Sequence, residues 1–124
     1  MTAIQPVLTC RDAPAAVDFY QRAFGATELS RTENPTGIVA ELALDGAPFM
    51  VVEEAPHAFN VSPASLGGTS VRIQLKVDDP DAVAARAVAE GAREVFPIAD
   101  QPYGWRQGRI EDPFGHHWLI GRPL

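Results

Sequence analysis

The residues of this 124-residue chain that could do chemistry are few and scattered. Glu53 and Glu54 adjoin at the end of an apolar run, where a carboxylate could serve as a general base. His117 brings an imidazole that could ligate a metal. In Val71-Arg72-Ile73-Gln74-Leu75-Lys76-Val77 polar and apolar residues alternate strictly, so Arg72, Gln74 and Lys76 share one face of a strand. That face reads either as a solvated strand surface or, where it lines a cavity, as a wall of donors suited to an anionic or carbonyl-bearing ligand. Trp105 follows Gly104, where an indole could stack on a flat ligand or fill a dimer interface. Other reactive types read as structural. His116 sits in a Pro-Phe-Gly turn, His57 in a loop, and Trp118 alternates out of phase with His117 and Leu119, which makes it core. Cys10 has no cationic activator in the sequence around it and reads as a small buried hydrophobe. A single cysteine excludes an internal disulfide and a cysteine metal cluster.

Regular elements must position these groups. The pattern predicts a strand at 4–10 and a helix at 15–24. Asp12 is its N-cap, Pro14 lies near N1, Val17, Tyr20 and Phe24 share one face, and Gly25 stops it. Strands follow at 27–32, 38–44 and 49–54. Asp45-Gly46 signals a hairpin, with Ala47-Pro48 lengthening its loop. Residues 55–69 contain Pro56, Pro63, Gly67 and Gly68, too much punctuation for a helix or strand, and read as a linker or mobile lid. The second half repeats the first: a strand at 70–77, a helix at 82–90 capped by Asp78 and opened by Pro80, then strands at 94–98, 105–111 and 117–121. At an offset of 66, Asp12 matches Asp78, Pro14 matches Pro80 and Gly25 matches Gly91, which points to a duplication.

Composition narrows the class. An apolar fraction of 46% and a charged fraction of 21% describe one globular domain. A net charge of −6 excludes a general nucleic-acid or anionic-membrane binder, which needs a basic face. No apolar run approaches the roughly 20 residues of a membrane span. The first residues lack a basic stretch followed by an apolar one, so the expected location is the cytoplasm.

Two βαβββ modules in tandem, carrying Arg11-Asp12-Ala13, residues 19–26 and Asp112-Pro113-Phe114-Gly115-His116, resemble the vicinal oxygen chelate superfamily of glyoxalases, bleomycin resistance proteins and extradiol dioxygenases. With Gly104-Trp105-Arg106 the chain is most similar to the small PhnB-like, glyoxalase-like members. The resemblance implies an α+β fold of curled mixed sheets around a cup. Module 1 spans about 1–56, a linker about 57–69 and module 2 about 70–124. It also implies a homodimer and a small-molecule ligand. The ligand-binding residues it implies are Gln5, Thr9, Arg72, Gln74, Trp105, His117 and Leu119. Metal-dependent members place ligands on the first and last strands of each module. Those positions fall at Gln5, at Glu53 or Glu54, at Arg72 and at Leu119. A guanidinium cannot ligate a cation, and an isobutyl group has no lone pair. His117, on the strand face of Leu119, could supply a nitrogen, leaving Gln5, Glu53 and His117 as the only metal candidates. Fewer than three good ligands rarely hold zinc, so no cofactor is expected.

The expected function is therefore a glyoxalase/bleomycin-resistance-like protein that binds a small polar molecule in a cup between its modules without a catalytic metal. The alternatives are a metal-dependent glyoxalase-type lyase or isomerase, or an extradiol-type dioxygenase, with Glu53 as candidate base. A further alternative is a non-catalytic interaction module presenting residues 55–69.

Overall fold

The computed structural model describes residues 1–124. It divides into two compact units, residues 1–68 and 69–124, and the expected linker residues fall almost wholly within the first. Unit 1 runs β1 (Val7–Cys10), α1 (Ala13–Phe24), β2 (Thr27–Asn34), β3 (Gly37–Leu44) and β4 (Ala47–Glu53), followed by a 3-10 turn (Pro56–Ala58) and the one-turn helix α2 (Pro63–Leu66). Unit 2 runs β5 (Arg72–Lys76), α3 (Pro80–Ala89), β6 (Arg93–Asp100), β7 (Trp105–Glu111) and β8 (His117–Pro123). The two sheets have the same topology, β1-β4-β3-β2 and β5-β8-β7-β6, and both stay open. In each, the first strand lies parallel to the last and the remaining pairs are antiparallel. The α+β fold of tandem βαβββ modules is thus present. No helix is long and apolar enough to cross a membrane.

Strand alternation makes one face of each sheet apolar, and a helix covers it. In unit 1, Leu8, Cys10, Ala40, Leu42, Phe49 and Val51 are buried on that face. Helix α1 answers with Ala13, Ala16, Val17, Phe19, Tyr20 and Ala23. Tyr20 meets Phe49 edge-on at 5.5 Å. In unit 2 the corresponding face holds Ile110, Trp118 and Ile120, against Ala87 of α3. The core of unit 2 is the thinner of the two.

Three local expectations are corrected. Ala47 and Pro48 do not lengthen the hairpin loop: Leu44 pairs with Ala47 and Ala43 with Pro48. Asp45 (φ 48°) and Gly46 (φ 82°) make a two-residue turn with both central residues left-handed, the hand that suits strand twist. Pro48 is tolerated because the closing pair takes the inter-strand bonds, and β1 on its other side begins pairing only at Met50. Residues 55–69 are not structureless. Ser62 caps α2 by accepting from the Ser65 N–H at 3.2 Å, and Ala55 bridges Asn60. Finally, α3 is capped by Asp79, not Asp78: the Asp79 carboxylate accepts from the Ala82 N–H at 3.2 Å, as Asp12 does from Ala15 at 3.0 Å. A proline stands at the second helical residue of α1 and at the first of α3, so the module offset is 67 at the caps and 66 beyond them.

Candidate functional site

The face of the second sheet opposite α3 carries polar groups in cross-strand rows. The pairing Arg72–His117–Glu111–Arg93 crosses all four strands. The next row is Gln74–Leu119–Arg109–Phe96, and the third is Lys76–Gly121–Gln107–Ala99. The one carboxylate in these rows is already engaged. Glu111 accepts from the Arg93 guanidinium at 2.6 Å and lies 3.5 Å from His117 Nε2. His117 Nδ1 is sealed from solvent with no hydrogen-bond partner. Arg72 and Arg109 have no carboxylate within ion-pair distance, whereas Arg11, Arg22, Arg31 and Arg106 each do.

A recess of about 330 Å³ opens in this face. Arg72 and Arg109 line it, with Leu119 between them and Phe96, Pro97 and Ala99 of β6 as an apolar wall. The Arg109 guanidinium lies over the Phe96 ring, 5.8 Å from its centre. The wall exists because β6 is irregular. Its register with β7 shifts between Glu94 and Phe96 and again between Phe96 and Ala99. Such bulges re-aim side chains and commonly adjoin sites. The bulged backbone crosses so close to β7 that a Cβ on Gly108 would stand 2.7 Å from the Phe96 carbonyl oxygen. Gln107 floors the recess and is held in place. Its side-chain oxygen accepts from the Tyr103 hydroxyl at 2.8 Å, and its backbone carbonyl accepts from Gln101 Nε2 at 2.8 Å. Gln107 is only 7% exposed, and its Nε2 has no protein partner.

Of the expected ligand-binding residues, the structure brings Arg72 and Leu119 together in this recess. Gln74 is beside Leu119 in the same row, and His117 stands one row away. Trp105 is half-buried at the end of β7, paired with Pro123, outside the recess lining. Gln5 and Thr9 belong to unit 1. The Gln5 amide donates to Glu41 at 2.7 Å, and Thr9 pairs with Val52 on the face away from α1.

Glu53 faces the start of α1. It pairs with buried Cys10 and so points to the helix side of its sheet, where its carboxylate accepts from the Ala13 N–H at 3.2 Å. The physical reason is the start of α1, whose first N–H groups have no partner within the helix. Helix α3 begins with Pro80, which has no N–H to satisfy at that place. Glu54 faces residues 62–65 instead. Hydrogen bonds from Ser65 (2.8 Å) and Ser62 (3.2 Å), with Arg11 at 3.5 Å, hold its carboxyl below the ordinary range, which makes it a weak base.

The residues present do not fit a divalent metal centre. Gln5 and Glu53 lie on opposite faces of one sheet, His117 shares its nearest carboxylate with Arg93, and no three His, Cys, Asp or Glu side chains converge.

Arg109, Gln107 and Phe96 escaped the sequence reading. The signal for the first two was present. Residues 105–111 alternate as 71–77 do, with Gln107, Arg109 and Glu111 on one face.

The family model of the Glyoxalase/Bleomycin resistance protein/Dioxygenase superfamily matches residues 3–120. The uncharacterized protein Rv0887c of Mycobacterium tuberculosis is 43% identical over 127 residues, covering 98% of this chain and 75% of its own. TioX from Micromonospora sp. ML1 superimposes with a TM-score of 0.76 at 31% identity, over 98% of this chain and 100% of its own. TnmS3, an antibiotic binding protein from Streptomyces sp. CB03234, shares the fold with a TM-score of 0.71 at 23% identity, over 99% of this chain and 98% of its own. The chain belongs to the glyoxalase/bleomycin resistance protein/dioxygenase superfamily and is a glyoxalase/bleomycin-resistance-like protein.

Proposed function

We propose that this protein binds a small polar molecule non-covalently in the recess on the open face of the second sheet, without a catalytic metal. The observation that carries the reading is the fixed Gln107 amide. It is nearly buried, its oxygen accepts from the Tyr103 hydroxyl while Gln101 holds the Gln107 backbone carbonyl, and its Nε2 is left as an unused donor at the floor of a cavity. An amide held in place binds without first losing its own rotational freedom. The antibiotic-binding role of TnmS3, which shares this fold, is compatible with sequestration rather than turnover. The lack of three converging donors and the weak basicity of Glu54 favour binding over catalysis. The cytoplasmic homodimer expected from sequence belongs to the same proposal.

Chelator-treated protein screened against small polar molecules by thermal unfolding tests it. The expected result is stabilisation by several degrees at saturating ligand, lost in Gln107→Leu. Stabilisation that appears only with an added divalent metal would overturn the reading.

A further inference from the structure

Resting on the reading of the recess as a binding site, we infer that its ligand is an oxyanion, of the carboxylate, phosphonate or sulfonate class, on a small apolar body. The charge argument is local. The chain as a whole is acidic, at −6, but unevenly so: unit 1 sets three basic residues, Arg11, Arg22 and Arg31, against eight acidic ones, whereas unit 2 sets seven against eight. On the open face of the second sheet, Arg72, Lys76, Arg93 and Arg109 meet one carboxylate, Glu111, which is already bonded to Arg93 at 2.6 Å. The face therefore keeps an excess of positive charge.

That excess converges on the recess. Arg72 on β5 and Arg109 on β7 flank Leu119 of β8. Strands two apart are separated by roughly 9–10 Å, within reach of two arginine side chains, and a swing of the Arg109 guanidinium from over Phe96 toward Arg72 would close both around one ligand group. Neither guanidinium is neutralised by a carboxylate, and the Gln107 Nε2 adds a third unused donor. A guanidinium fork matches an oxyanion in shape as well as charge. A cationic ligand would meet two like charges, and a neutral one would leave them uncompensated. The opposite wall, Phe96 and Pro97, is apolar and fits the ligand body, with Arg109 held over the ring.

The test is a fragment titration watched through the ¹⁵N signals of the arginine side chains and by thermal unfolding. The panel consists of benzoate, phenylphosphonate and benzenesulfonate, with benzamide and benzylammonium as size-matched neutral and cationic controls. We expect the oxyanions to move the Arg72 and Arg109 Nε signals. Their affinity should fall at least tenfold in Arg72→Gln and in Arg109→Gln, less in Arg109→Lys, and weaken as salt rises. The controls should bind at least tenfold more weakly. If benzamide or benzylammonium binds the recess as tightly as the oxyanions, the anion inference is overturned and the binding reading stands. If the oxyanions bind equally well to both glutamine variants, the inference is likewise overturned. If no fragment perturbs any recess residue, both fall.

Discussion

Asp112 is 2% exposed and accepts hydrogen bonds from the Phe114 and His116 N–H groups and from the Trp118 indole at 2.9 Å. A buried carboxylate is tolerable only when so satisfied. Asp112→Ala should cost about 2–3 kcal/mol, because it strands the buried indole N–H, and urea unfolding measures it. Gly108→Ala tests the recess wall. Its Cβ would press on the Phe96 and Pro97 backbone, so β6 must move. The expected result is a loss of about 1–3 kcal/mol together with loss of ligand-induced stabilisation. The sheet face of Arg72 and the core role of Trp118 were legible in the sequence because strict alternation assigns faces, whereas Leu119 was reached only through the family spacing. The alternation rule would have reached Arg109 and Gln107. Phe96 was not legible, because the bulges of β6 break the alternation that would reveal it, and Tyr103 lies in the turn between β6 and β7, where no alternation applies. The contact of Glu53 with the start of α1 was not legible, because a carboxylate that satisfies a helix start and one that could accept a substrate proton look alike in sequence.

At the scale of elements, strands and helices were anticipated closely, and the turns less so. The error at Ala47-Pro48 came from treating proline as a loop residue, when its place beyond the end of β1 leaves no bond to lose. Residues 55–69 were read as unstructured from their punctuation. Yet prolines at helix starts and glycines just past helix ends are compatible with order, as α2 shows. That segment is fastened to β4 through Glu54. Hydrogen bonds from Ser65 first, then Ser62, lower the Glu54 pKa, and the Arg106 guanidinium lowers that of Asp81 at the start of α3. A carboxyl with a lowered folded-state pKa contributes stability above its unfolded-state value and loses it as pH falls through the folded one. The melting temperature should therefore be insensitive to these groups at neutral pH. It should decline below about pH 4.5, the ordinary glutamate value, and further below about 3.8, that of aspartate. Ser65→Ala should shrink the first part of that decline, and a pH series of thermal melts would show it. A decline of unchanged size in Ser65→Ala would remove Glu54 from the account.

Over the whole molecule, the two units share a topology and differ in core. Unit 1 buries both sides of its helix–sheet contact, whereas α3 buries only Pro80 and Ala87, and its Val88 stays exposed. Local opening follows such differences in apolar burial. Hydrogen exchange should therefore reach amides of α3 and β5 well before those of α1, β3 and β4. Equal protection in the two units would contradict this. The duplication was legible, but its offset was read as constant, and the caps show where it changes. With an offset of 67, Leu8 matches Leu75, Cys10 matches Val77 and Gln5 matches Arg72, and each pair keeps its face of the sheet; an offset of 66 would put every one on the wrong side. A one-residue change of length thus survived in the few residues between a strand and its helix, where the capping aspartate can restart the count and neither side-chain alternation nor helix phase is disturbed. Those junctions are the natural seams of the chain, the places where residues can be gained or lost while the site keeps its register.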